Sequence, residues 1–189
     1  MPRPTHRENV GMVTEPGDFE LSMDELRVVA RYAVESAQDV LPLFEKSHPD
    51  DRRPRAAVEA AWTFVDGANR TMLQRIAALA AHRAAKDATT EAAKHAAHAA
   101  GDAAAAAYLH PLAKATQVGH ILRAAAHAAR AAELAADGDP RVGNHRIEQA
   151  CQRATPALVD VLRRYPVAPS SKSRVAQLMK TLDTSLRSL

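Results

Sequence analysis

The chain has 189 residues and a mass of 20.3 kDa, with 47% hydrophobic, 25% charged and 4% aromatic content. That is one domain's worth of chain, and it contains no apolar run near the roughly 18 residues a membrane-spanning helix needs. One cysteine, Cys151, excludes an internal disulfide and a cysteine-built zinc site, and the polar N-terminus lacks an apolar signal segment, so the expected location is cytoplasmic. Alanine, the strongest helix former, occurs 42 times, whereas glycine occurs 7 times and aromatic and β-branched residues are sparse. The expectation is an all-α fold: an Ala-rich multi-helix bundle or α-helical array of about six to seven helices.

The net charge of +3 is unevenly spread, at −3 over residues 1–55, zero over 56–140 and +6 over 141–189. The basic C-terminal third either docks on the acidic N-terminal third or attracts an anion or an acidic partner.

In chain order, residues 1–21 are punctuated by Pro2, Pro4, Pro16 and Gly17 and predict an irregular leader ahead of a single helical domain over 22–189. Ser22-Met23-Asp24-Glu25 fits a capping box and starts the first helix. Leu26, Val29, Ala33, Val40 and Phe44 form its apolar stripe, and Pro42 predicts a kink or an early stop. A second helix is expected over Arg55–Asp66, carrying Trp62, and a third over about Thr71–Lys86. The third presents Met72, Leu73, Ile76, Leu79 and Ala80 as its apolar face. A fourth restarts at Thr89-Thr90-Glu91 and reaches about Leu109, and a fifth spans about Leu112–Ala136. The sixth covers about Val142–Tyr165 with a possible interruption at Thr155-Pro156, and a last helix starts at Ser171 or Ser173. About half of residues 77–136 is alanine, which predicts close helix contacts there and a bulkier core at the two ends.

Six of the nine histidines fall between positions 82 and 127. His95 and His98 share a helix face, and Asp102 lies one turn beyond His98. His120 and His127 sit beside the apolar stripe of the fifth helix. A ligand pocket is therefore sought among Trp62, His82, Asp102, Tyr108, His110, His120 and His127, with His82, His110 and His120 expected to converge. The alternative is a set of solvated or satisfied core histidines. No metal motif, nucleophile elbow or phosphate-cradling glycine loop is present, and no catalytic residue, metal or cofactor is assigned. Arg163, Arg164, Tyr165, Lys172 and Arg174 flank one loop and form a candidate anion- or partner-binding cluster. Four cations without a helix-turn-helix spacing argue against sequence-specific DNA binding.

Four segments taken together resemble a known family: Arg53-Pro54-Arg55-Ala56-Ala57, AAHRAAK at 80–86, AAGDAAAAAYLHPLAKATQVGHIL at 99–122 and LVDVLRRYP at 158–166. They resemble actinobacterial immunity proteins with an Imm-5-like helical domain, over roughly residues 20–182. The resemblance implies an all-helical, non-catalytic protein that binds a protein partner, a cognate toxin, and it supplies no catalytic residues. A small-molecule or metal-binding bundle built on the histidine cluster is the competing expectation, and self-association is a further one.

Overall fold

The computed structural model describes residues 19–189. Apart from residues 19–21, the expected leader lies outside the described residues. Eight α-helices and no strand occur among them: α1 (Met23–Glu45), α2 (Arg53–Val65), α3 (Met72–Asp87), α4 (Glu91–Ala105), α5 (Val118–Ala135), α6 (Pro140–Arg153), α7 (Pro156–Arg163) and α8 (Arg174–Arg187). The fold is an all-α array, with slightly more helices than expected.

Local chemistry sets most boundaries. Ser22 caps α1 in a full capping box with Glu25. Thr71 does the same for α3 with Gln74. The expected sixth helix divides into α6 and α7, because Thr155 caps a new helix and Pro156 opens it. Pro42 does not stop α1, which continues to Glu45. The buried Leu41 and Phe44 on either side of it hold the last turn against the core. The fourth and fifth helices are shorter than expected. His110 precedes Pro111 and is pushed off helical geometry, so residues 109–114 run between two short 3₁₀ turns at Ala106–Tyr108 and Ala115–Gln117.

The central helix is α4, which packs on α1, α2, α3 and α5. Its buried positions are Ala93, Ala96, Ala97, Ala99, Ala100, Gly101, Asp102, Ala103 and Ala104. Such small side chains let neighbouring helices close in. The bulky core residues come from other helices: Leu41 and Phe44 on α1, Phe64 on α2, Ile121 and Leu122 on α5, Leu158 and Leu162 on α7, and Leu178, Leu182 and Leu186 on α8.

The third helix reverses the expected pattern. Gln74, Ala77, Ala78, Ala81, Ala84 and Ala85 are buried against α2 and α4. Met72, Leu73, Ile76 and Leu79 face outward, and each is between 51% and 61% exposed. The face made of large apolar residues is therefore the outer face. Its inner face, made of alanines and Gln74, packs against α2 and α4.

Candidate functional site

Three helices place histidines against one another. On α4, His95, His98 and Asp102 fall on one face. On α5, His120, Arg123 and His127 do the same. On α3, His82 points toward Gly101 of α4, where a Cβ would lie 2.8 Å from its ring. Small residues at the α3–α4 crossing are thus what admit an imidazole between the helices.

The rings form a row. Ring centroids are 5.3 Å apart for His82 and His98, 5.0 Å for His98 and His127, and 5.0 Å for His127 and His95. Nδ1 of His82 lies 3.0 Å from Nδ1 of His98, and Nδ1 of His95 lies 2.8 Å from Nδ1 of His127. Each contact is a hydrogen bond when one imidazole carries its proton on Nδ1 and the other on Nε2. Asp102 sits between the two pairs. Its Oδ1 accepts from Arg123 Nε at 2.9 Å. His82 Nε2 is 3.7 Å from Oδ1, and His127 Nε2 is 3.8 Å from Oδ2, which has no hydrogen-bond partner. If His82 and His127 carry protons on Nε2, both N–H groups lie near the carboxylate and both Nδ1–Nδ1 contacts are satisfied.

Burial keeps the row, and His120 in an adjoining cleft wall, neutral. It lowers the pKa of His95 and His120 to about 4, with help from positive neighbours, and lowers those of His82, His98 and His127 in the same direction. Burial raises Asp102 above the ordinary carboxylate value, and Arg123 offsets part of that rise. Among the described residues, no three His, Cys, Asp or Glu side chains are placed to hold a metal ion. The half-buried Cys151 has a thiol pKa raised chiefly by desolvation, which disfavours its reactive thiolate.

One end of the row opens on a cleft of about 360 Å³. Its walls include Arg75, Leu79 and His82 from α3, Ala105 and Tyr108 from the α4 end, His110, and His120 from α5. The structure therefore brings His82, Tyr108, His110 and His120 together. Asp102 and His127 belong to the row behind the cleft. Trp62 lies elsewhere, with Nε1 donating to Gln38 Oε1 at 2.6 Å and the Arg31 guanidinium 5.4 Å from its ring centroid.

The residues flanking the Tyr165 loop are held by separate partners. Arg164 pairs with Glu25 of α1. Arg174 pairs with the buried Glu133 of α5 at 2.8 Å. Arg163 donates to the Arg187 carbonyl, and the Tyr165 hydroxyl donates to the His110 carbonyl at 2.8 Å. Lys172 is exposed. Two of the four expected cations, Arg164 and Arg174, are thus held by carboxylates on different helices. The basic C-terminal third is thus partly neutralised within the fold.

Residues 20–156 match the family model described as Imm-5 like putative immunity protein. The chain belongs to that family. The match to this immunity family takes in α1 to α6, the whole histidine row and the cleft, and stops at the start of α7. No curated protein and no solved structure matches the chain.

Sequence reasoning missed two features. Arg123 shares the α5 face of His120 and His127, a signal present in the spacing. The outward apolar ridge of α3 had no such signal, since an exposed stripe and a buried stripe have the same periodicity.

Proposed function

We propose that this member of the immunity family is a non-catalytic helical protein that binds a protein partner, a toxin, through the outward face of α3. The observation that carries the reading is the run of Met72, Leu73, Ile76 and Leu79 on the solvent side of an otherwise well-packed helix. Large apolar side chains grouped on a surface mark an interaction site more often than single exposed ones do. Family membership supports a protein as the occupant. Among the described residues no helix is long and apolar enough to cross a membrane, and the reading places the chain in the cytoplasm.

The test is co-expression with any toxin domain that a neighbouring gene encodes. The wild-type chain restores growth, and Ile76→Asp does not, although it folds. An operon without such a gene, or equal protection by both proteins, overturns the reading. A second reading, a small-molecule site, is favoured by the convergence of His82, Tyr108, His110 and His120 on one cleft. It predicts a ligand that protects the chain thermally and loses that effect with His120→Ala, while Ile76→Asp leaves the effect intact.

A further inference from the structure

We propose that the α3 face and the adjoining cleft receive an acidic protein surface with an apolar centre, its carboxylates set against Arg75, Arg83 and Lys86. The inference rests on the partner-binding reading above and names what that partner must carry. At helical spacing, Met72, Ile76, Leu79, Arg83 and Lys86 fall in one stripe, and Arg75 lies on the flank that borders the cleft. The only carboxylate on the helix, Asp87, is at its C-terminal end and bound to Arg53 at 2.8 Å. The cleft wall contains Arg75 and no carboxylate. Arg75, Arg83 and Lys86 form no ion pair among the described residues, unlike Arg164 and Arg174. On α3 and in the cleft wall the charges without an ion-pair partner are therefore all cationic, the arrangement that steers an oppositely charged surface and rejects a like one.

That same charge disfavours a second copy of the chain, because face-to-face pairing of α3 sets its cations against cations while its one carboxylate, Asp87, is bound to Arg53. It also attracts anionic lipid, but the concave cleft suits a protruding side chain, which a lipid surface does not present. A partner carrying an apolar residue over Ile76 and a carboxylate near Arg75 satisfies both halves of the site. His110 and Tyr108 would form the far wall of the cleft.

Selection of displayed random dodecapeptides against the whole chain tests this, with recovered peptides measured by calorimetry. The expected consensus combines Asp or Glu with Leu, Phe or Trp. Ile76→Asp lowers affinity about tenfold or more, and Arg75→Glu with Arg83→Glu does the same and weakens the salt dependence. Both variants alter exposed positions, and circular dichroism checks that they fold. Peptides that need Ile76 but carry no acid, and ignore the arginine changes, overturn the acidic partner while leaving the partner-binding reading intact. Failure to recover any Ile76-dependent peptide overturns both. Ile76-dependent binding to phosphatidylcholine–phosphatidylglycerol vesicles, or a dimer that Ile76→Asp dissociates in sedimentation, also overturns the proposal.

Discussion

The imidazole of His82 occupies the space that a side chain at Gly101 would need, with three ring atoms 2.8–3.0 Å from the position of a Cβ. Glycine in mid-helix costs about 0.5–1 kcal/mol relative to alanine, so its place in α4 is explained by the ring and not by helix propensity. Gly101→Ala alone is expected to gain little or lose stability, because it displaces a ring hydrogen-bonded to His98. In a His82→Ala background the same change is expected to stabilise by up to about 1 kcal/mol. A urea double-mutant cycle measures this coupling, and additive effects would contradict it.

The neutral histidine row makes stability depend on pH in a defined direction. In the unfolded chain each imidazole titrates near its ordinary value, about 6.5. In the fold, His95 and His120 titrate at about 4, and His82, His98 and His127 are also lowered. Between these values the unfolded chain binds more protons. The contribution is therefore complete above about pH 6.5 and is lost as pH falls toward 4. Asp102 acts in the opposite sense, because its raised pKa lets the folded state take a proton before the unfolded one does. The histidines outnumber it, so the urea midpoint is expected to fall steadily from pH 7 to pH 5. The slope has a ceiling of about 1.4 kcal/mol per pH unit for each extra proton bound by the unfolded chain. A flat profile would show that the rings are solvated.

Glu133 is a buried carboxylate shared by Arg130 and Arg174, and it joins α5 to α8. Glu133→Ala removes the partner of both cations and is expected to cost about 3 kcal/mol or more, because half-buried charges are left unpaired. Gly143 of α6 packs directly on this carboxylate, leaving no room for a Cβ. Gly143→Ala is therefore also expected to destabilise. Thermal melts of the two variants check both statements.

Two isoleucines with the same side chain have opposite surroundings. Ile121 of α5 is fully buried, whereas Ile76 of α3 is 61% exposed. Ile121→Ala is expected to cost about 2–5 kcal/mol, and Ile76→Ala is expected to stay within about 0.5 kcal/mol of wild type. A large loss at Ile76 would mean that α3 packs inward, and the docking face would not exist.

Helix identity was legible in the sequence because it rests on local signals: the Ser22–Glu25 box, the Thr155-Pro156 restart and the alanine content. The outward ridge of α3 was not, since periodicity shows that one face is apolar but not which face meets the core. That choice depended on how α3 packs against α2 and α4, neighbours that only the tertiary fold identifies. The convergence of His82, His110 and His120 was anticipated from their clustering, and the cleft has all three in its wall. Trp62, expected among them, lies elsewhere, and its hydrogen bond to Gln38 ties it to α1. The C-terminal cations resembled a binding cluster because their carboxylate partners, Glu25 and Glu133, lie 139 and 41 residues away in the chain.

Hydrogen–deuterium exchange on the complex with a toxin domain identified by co-expression tests the central claim most directly. Partner binding through α3 predicts added protection over residues 72–83 and at residues 105–110 beside the cleft. Protection confined to other helices, with these segments unchanged in a saturated complex, would contradict it.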